Sequence, residues 1–352
     1  MRWQRWAAVG CVLVVVGVLA GVLLSRDGSD DTSKTTITTR EATDPNSGHA
    51  VRLTYLPDSP YGKKVSEAQL GQSVATLERR AKLLDLDETR VRKHDGKVVV
   101  TYAPQDFADP ANSQLPVQGR LYFYDYEGNV VGNPDEPIKS IYDVVKQASE
   151  RKPVDSPDDT TGEQFYLFGA LRNYQGGPAG SRRALLERHL GKLPRRAQVL
   201  EVPPGTIVVL AHPLTNSLDP TVFDGNFIMR DRPQLDNSGI RNARFVESDD
   251  EPGVQFDFTE SGRASFQRLT RQVAREGSPD EPHHVAAVLD GAILSKLPVA
   301  PDTYPNGLDG RNGAVLSGAI DAEQARDLAA VLDSGPLPFR LIPLLQEQVP
   351  SG

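Results

Sequence analysis

The pattern of apolar and polar positions predicts a strand and a helix soon after residue 49. Residues 51–55 alternate between apolar and polar side chains, as expected of a strand. Ser66 and Gln69 have the spacing of a helix capping box. Behind them, one face of the predicted helix carries apolar residues at helical spacing: Leu70, Val74, Leu77, Ala81 and Leu84.

Two hairpins are predicted next. Residues 89–92 and 98–102 flank Asp95-Gly96, a dipeptide that favours a tight turn between antiparallel strands. Residues 121–131 predict a second hairpin, with Glu127-Gly128-Asn129 as its turn.

Residues 133–225 carry patterns that do not combine into one topology. The predicted elements are helices over 137–149 and 181–190 and strands over 165–168 and 206–210. Gly191 would close the second helix as its C-cap. This stretch is therefore predicted as an α/β insert without an assigned role.

Strands and helices alternate in the last third of the chain. The predicted strands cover residues 254–258, 285–289, 293–299, 314–320 and 337–341. Thr259 caps one helix, and Asp321, with Gln324 completing a capping box, caps another. The alternation predicts the α+β class with a split β-α-β arrangement.

The N-terminal segment predicts a membrane anchor. Trp6 to Leu24 is a run of 19 residues without a charged side chain, and at helical rise it spans roughly 28 Å, about one bilayer core. Arg2 and Arg5 precede the run and acidic residues follow it, which places the N-terminus in the cytoplasm. The sequence therefore predicts a single-pass protein of the cytoplasmic membrane. A flexible linker over residues 27–48 connects the anchor to an extracytoplasmic region.

Two other interpretations of this segment are less favoured. A cleaved signal peptide, with Val18 and Ala20 near the cleavage site, is disfavoured because the apolar run is long. A lipoprotein acylated at Cys11 is disfavoured because most of the apolar stretch follows that cysteine. Either alternative also places the rest of the chain outside.

Charge and cysteine content exclude several classes of function. Residues 27–352 carry 36 basic and 47 acidic side chains, a net charge of -11, which argues against nucleic-acid binding. Cys11 is the one cysteine in the sequence, so intrachain disulfides and cysteine-based zinc sites are excluded.

No motif predicts catalysis: GxGxxG, a Walker loop, GxSxG and HExxH are all missing from the sequence. His283 and His284 are adjacent and would point to opposite faces of a strand, so an exposed strand start is predicted instead of a shared metal site. Asp290-Gly291 is predicted as a hairpin turn that needs positive φ, not as a catalytic aspartate.

Two charged clusters are also predicted to be solvated surface. The acids at 247–251 lack the spacing of a calcium loop. Arg182-Arg183 and Arg195-Arg196 are too sparse for a nucleic-acid surface. We therefore predict no catalytic, cofactor-binding or metal-binding residue, and no enzyme activity.

Several motifs in the last third resemble SecD, a subunit of the bacterial protein translocase. In chain order they are Gly253 to Gly262, Phe266, Leu269-Thr270, Val285 to Gly291, Ser295 to Val299, Leu316-Ser317-Gly318, Ala322 to Ala325, Leu328-Ala329 and Leu332 to Pro338. The resemblance covers about residues 226–342. Residues 77–80, 84, 87–88 and 98–100 are similar to the SecD stretch that precedes its head subdomain.

The resemblance implies a non-catalytic extracytoplasmic region with a ferredoxin-like head. The expected division is 1–26 cytoplasmic N-terminus and anchor, 27–48 linker, 49–132 base, 133–225 insert, 226–345 head and 346–352 tail. The implied partners are SecD, SecF, SecY or unfolded secreted polypeptides, and the implied role is an accessory one in Sec-dependent export.

One expectation limits that role, and one alternative function stands beside it. SecD continues into a further membrane bundle, whereas this sequence has no second apolar run long enough to span, so proton-driven translocation by this chain alone is not expected. The alternative function is a reused envelope module that binds a cell-wall or membrane partner without any part in export.

Overall fold

The computed structural model describes residues 49–154, 160–189, 191–211, 225–248, 251–317 and 320–350. The predicted anchor bounded by Trp6 and Leu24 and the predicted linker lie outside these residues. Within the described part, no helix is long and apolar enough to span a membrane. The described residues form a mixed α+β fold, as predicted, and divide into two compact units.

The small unit consists of residues 49–57, 64–118 and 337–350. Its elements are β1 (His49–Asp58), α1 (Glu67–Leu83), β2 (Arg90–His94), β3 (Lys97–Tyr102), α2 (Pro104–Ala108), a 3-10 helix (Pro110–Gln114) and β16 (Arg340–Pro350). They build a four-stranded sheet in the order β16-β1-β3-β2, against which α1 packs. The predicted strand, helix and hairpin are confirmed, and Asp95 and Gly96 take positive φ in the turn.

Helix α1 starts where the sequence predicts because Ser66 and Gln69 form the capping box. The Ser66 hydroxyl accepts from the Gln69 N–H at 3.2 Å, and the Gln69 side chain accepts from the Ser66 N–H at 2.9 Å. These bonds satisfy N–H groups that the first turn leaves without partners. Leu70, Leu77 and Ala81 are buried on the face that was predicted.

Arg80 is a charged residue on the buried side of α1. Its side chain is completely buried, and Nη1 donates to the carbonyl oxygens of Leu115, at 2.9 Å, and Val117. A buried guanidinium needs such acceptors because an unpaired buried charge is costly. Arg80 therefore fixes residues 115–117 to the helix.

The large unit consists of residues 58–63 and 119–336. Its strands are β4 (Leu121–Asp125), β5 (Gln164–Phe168), β6 (Tyr174–Ala179), β7 (Gln198–Val202), β8 (Thr206–Ala211), β9 (Gly225–Arg230), β10 (Leu235–Asp236), β11 (Ile240–Ser248), β12 (Glu251–Phe258), β13 (His284–Leu289), β14 (Ala292–Pro298) and β15 (Ala314–Ser317). Its helices are α3 (Tyr126–Asn129), α4 (Ile141–Ser149), α5 (Arg182–Arg188), α6 (Glu260–Glu276) and α7 (Ala322–Ser334), with 3-10 turns at Pro60–Gly62 and Asn237–Gly239.

Three sheets organise the large unit. A six-stranded sheet has the order β10-β4-β13-β14-β8-β9, and two three-stranded sheets have the orders β11-β12-β15 and β6-β5-β7. Helix α6 contacts β4, β10 and β13 of the first sheet and β12 of the second. Its predicted inward residues Phe266, Leu269 and Val273 are buried in a core that both sheets share.

Asp231, directly after β9, is fully buried and connects distant parts of the large unit. Its carboxylate accepts from the backbone N–H groups of Thr160, at 2.8 Å, and Thr161, at 3.1 Å. The hydroxyls of both threonines and of Tyr124 also donate to it. Burial, reinforced by the Asp231 charge, raises the pKa of Tyr124 well above its ordinary value.

The predicted hairpin over residues 121–131 is wrong. Strand β4 pairs with β10 and β13 instead, and the next residues form α3. The Asp125 carboxylate accepts from the Gly128 N–H at 3.0 Å, and the Asn129 amide donates to the Asp125 carbonyl at 2.8 Å. These two local bonds coil the chain into a helical turn.

The split β-α-β arrangement predicted for the last third of the chain is not found among the described residues there; the small unit has one instead, because β1 and β2 flank α1 and lie on either side of β3 in one sheet. Such a unit needs the strands on either side of its helix to lie in one sheet. Strands β12 and β13 flank α6 but belong to different sheets, because β12 pairs with β11 and β15 while β13 pairs with β4 and β14.

Two predicted bounds also shift. Helix α4 begins at Ile141 instead of 137, since Ser140 is its N-cap and accepts from the Asp143 N–H. Strand β16 begins at Arg340 instead of 337, and β15 is described only to Ser317.

Candidate functional site

A cluster of acidic and histidine side chains surrounds the end of β4 in the large unit. Asp125 closes β4 and is buried, with one carboxylate oxygen bonded to the α3 N–H of Gly128. Strand pairing places Val285 of β13 opposite Asp125. Because side chains on a strand alternate, the chain before β13 brings His283 toward the Asp125 face and His284 toward the other.

The C-terminal end of α6 completes the cluster. Gln272 lies one turn before Glu276, and its amide donates to Asp125 Oδ2 at 3.2 Å and to Glu276 Oε1 at 3.1 Å. Ligand-capable atoms of Asp125, Glu276 and His283 lie within 4.8 Å of one another. Asp125 is buried, His283 is half-buried and Glu276 is exposed.

His284 makes separate contacts beside this cluster. Its Nδ1 is 2.7 Å from Glu127 Oε1, and its backbone N–H donates to Glu127 Oε2 at 2.8 Å. The prediction that the two histidines point to opposite faces of a strand agrees with these separate contacts. Both are half-buried, however, so the predicted exposed strand start is wrong.

Two carboxyl groups in this cluster have pKa values shifted in opposite directions. Burial raises the pKa of Asp125 to about 6; the Gly128 N–H opposes that shift, and the nearby Glu276 and Glu127 carboxylates add to it. Burial also acts to raise the pKa of Glu127, but hydrogen bonds from the His284 side chain and backbone outweigh it, so that pKa lies below its ordinary value.

Asp290 and Gly291 have a structural role in a turn. Asp290 and Gly291 take positive φ in the turn between β13 and β14, as predicted. The Asp290 carboxylate also accepts from the N–H groups of Gly119, at 2.8 Å, and Arg120, at 2.9 Å. No pattern in the sequence indicates these two bonds, which join segments about 170 residues apart.

The described residues of the two charged surface clusters belong to other parts of the chain than β4, α6 and the residues before β13. Arg182, Arg183, Arg195 and Arg196 are exposed, as predicted, and Arg183 pairs with Glu187. Glu247 and Ser248 end β11 and Glu251 begins β12, while residues 249 and 250 lie outside the described residues. The prediction of no catalytic, cofactor-binding or metal-binding residue stays a prediction.

Exposed apolar residues mark surfaces that a partner protein can contact. Val315 on β15 is 46% exposed and Leu297 on β14 is 40% exposed, and these two strands contact each other. Strand β15 is at an edge: among the described strands it pairs only with β12. Leu171, 91% exposed, lies in the turn between β5 and β6.

The family comparison matches residues 216–339 to the family described as SecDF, P1 head subdomain. Curated relatives include protein translocase subunit SecD of Magnetococcus marinus, 33% identical over 118 residues, and of Syntrophobacter fumaroxidans, 30% identical over 118 residues. Both alignments cover 33% of this chain and 20% of the relative. The resemblance to SecD is thereby confirmed, while the chain spans about a fifth of the length of the relatives it matches.

Solved structures of SecDF are also similar. One, in the super-membrane-facing form, has 18% identity and a TM-score of 0.47, covering 85% of this chain and 30% of that chain. Another, of a SecDF described as a membrane component that enhances protein export, has 18% identity and a TM-score of 0.44, covering 82% of this chain and 96% of that chain.

Proposed function

We propose that this protein is a non-catalytic accessory of Sec-dependent protein export that binds preproteins or Sec subunits at the outer face of the cytoplasmic membrane. The match of residues 216–339 to the SecDF P1 head subdomain is the observation that carries the proposal. The predicted anchor from Trp6 to Leu24 would hold the region on that side of the membrane, and the base, insert and head divisions predicted above belong to the same proposal.

The edge strand β15 supplies a surface suited to an extended polypeptide. An unpaired strand edge offers backbone N–H and C=O groups that a peptide can bond by adding a strand. Val315 on β15 and Leu297 on the contacting β14 add exposed apolar area. Both strands lie inside the part that matches the SecDF head.

Such a surface suits an unfolded chain more than a specific folded ligand. Main-chain hydrogen bonds do not depend on sequence, and apolar contacts accept many side chains. The acidic balance of residues 27–352, 36 basic against 47 acidic side chains, adds attraction for basic segments.

The test is a crosslinking pull-down of the full-length protein from its native membrane, read by mass spectrometry. The control is a protein in which residues 1–48 carry an unrelated folded domain. The proposal expects SecD, SecF, SecY or exported preproteins to be enriched over the control. Enrichment of unrelated envelope proteins alone would refute it.

A surface variant locates the binding site in the same experiment. Val315→Thr keeps the shape and β-propensity of the residue, and Leu297→Gln keeps its length, so the double variant mainly removes apolar contact. It should recover fewer crosslinked partners, whereas Leu171→Gln, a more exposed site outside the matched region, should recover the same amount as the wild type.

A further inference from the structure

We propose that Asp125, Glu276 and His283 form a binding site for a divalent transition-metal ion, with zinc as the ion the donor set fits best. This proposal is independent of the export role, and it replaces the expectation from sequence that no residue binds a metal. Three features support such a site: the three side chains converge, one imidazole nitrogen lacks a hydrogen-bond partner among the described residues, and Gln272 orients the carboxylates.

The spacing of the donor atoms is close to that of a metal site. They lie within 4.8 Å of one another. Zinc bonds of about 2.0–2.2 Å place two ligands of a tetrahedral ion about 3.5 Å apart, so the side chains need to close by about 1.3 Å at most. Glu276 is exposed at the end of α6, so rotamer changes of this side chain can supply much of that movement.

The imidazole of His283 has unused hydrogen-bonding capacity. His283 Nδ1 is buried and has no hydrogen-bond partner among the described residues. Leaving a buried polar atom unpaired costs about 1–3 kcal/mol, so such atoms are rare unless an ion or water satisfies them. The backbone of His283 is held just before β13, where the Val299 N–H donates to the His283 carbonyl at 2.9 Å.

The carboxylates are already oriented in the way that metal sites require. Gln272 donates to both Asp125 and Glu276, while Gly128 holds the second oxygen of Asp125. Outer-shell hydrogen bonds of this kind fix ligand geometry in metalloproteins. Two carboxylates facing each other repel, and a dication removes that repulsion.

The donor set selects the class of ion. One imidazole nitrogen with two carboxylate oxygens suits zinc, manganese, cobalt or ferrous iron, whereas calcium and magnesium prefer sites made of oxygen alone. Three protein ligands leave a fourth position for water. The bound ion would tie the end of α6 to β4 and to the start of β13, which makes its expected effect a structural one.

The test is isothermal titration of zinc into the full-length protein after metal removal, with magnesium titrated separately. We expect one zinc equivalent to bind at least tenfold more tightly than magnesium. Glu276→Gln and His283→Ala should each weaken zinc binding by at least tenfold, while His94→Ala, an exposed histidine of the small unit, should leave it unchanged.

Hydrogen exchange supplies a local measurement that adventitious zinc binding to other histidines would not reproduce. Zinc should slow amide exchange in peptides covering residues 125–129 and 272–285 of the wild type, and it should not slow exchange there in Glu276→Gln. The Glu276 side chain is exposed, so this substitution should leave the fold intact. Equal zinc affinity in wild type and both variants, or no change in exchange at these peptides, would overturn the proposal.

Discussion

Replacing Arg80 with methionine should release residues 115–117 from α1. The guanidinium is completely buried and donates to the carbonyls of Leu115 and Val117. A hydrogen bond from a charged donor contributes roughly 1.5–3 kcal/mol, so losing two costs about 3–6 kcal/mol. Methionine restores much of the packing, which leaves an expected loss of about 3 kcal/mol in the local opening free energy.

Native-state hydrogen exchange measures this loss where it occurs. The amides of Leu115 and Val117 are protected by hydrogen bonds to Asn112, at 3.2 Å, and Gln114, at 3.3 Å. Since 1.4 kcal/mol corresponds to a factor of ten, about 3 kcal/mol predicts roughly 100-fold faster exchange.

The neighbouring Arg79 gives a matched control. Arg79 directly precedes Arg80 on the same helix, and its side chain is exposed. Arg79→Met therefore makes the same chemical change outside the buried contact. Surface changes of this kind usually stay within about 0.5 kcal/mol, roughly a twofold effect on exchange. If Arg80→Met also stayed within about threefold at Leu115 and Val117, the inferred role of the buried guanidinium would be refuted.

Three further predictions concern Asp231, Asp290 and Tyr55. Asp231→Ala should lower the free energy of unfolding by about 3–5 kcal/mol in urea titrations, because it leaves buried donors unpaired; a loss below about 1 kcal/mol would contradict this. Asp290→Ala should cost about 2–4 kcal/mol by the same assay, from two lost hydrogen bonds and the positive φ, and Asp290→Asn should recover about half of the loss. Burial raises the pKa of Tyr55 to about 12 from 10.0, while the hydrogen bond with Tyr102 acts to lower it, so its stabilising contribution is intact below pH 10 and decreases as the pH rises through 12. Absorbance at 295 nm during alkaline titration should show Tyr55 and Tyr102 ionising with unfolding, and a Tyr55→Phe variant that titrates identically would argue against it.

Short-range signals predicted the local structure well. The capping boxes at Ser66 and Asp321 and the turns at Asp95 and Asp290 each depend on residues within three positions of each other, so the sequence contains all the groups that form them. Thr259 at the start of α6 is a further case, with its hydroxyl accepting from the Gly262 N–H.

Long-range pairing explains what the sequence could not predict. The pairing of β4 with β13 joins residues about 160 apart, and it is this register that brings Asp125 beside His283. No local spacing connects these residues with Glu276. The hairpin over 121–131 failed for a related reason: β4 finds distant partners, while Asp125 and Asn129 coil the chain locally.

Site-specific photo-crosslinking from Val315 tests the proposed binding role most directly. A photoreactive phenylalanine analogue at this exposed position of β15, in the full-length protein and in its native membrane, would be activated while a secretory preprotein is arrested in transit. The account predicts a crosslink to the preprotein or to a Sec subunit from Val315 and none from Leu171. Crosslinks of equal yield from both positions, or none from Val315, would contradict it.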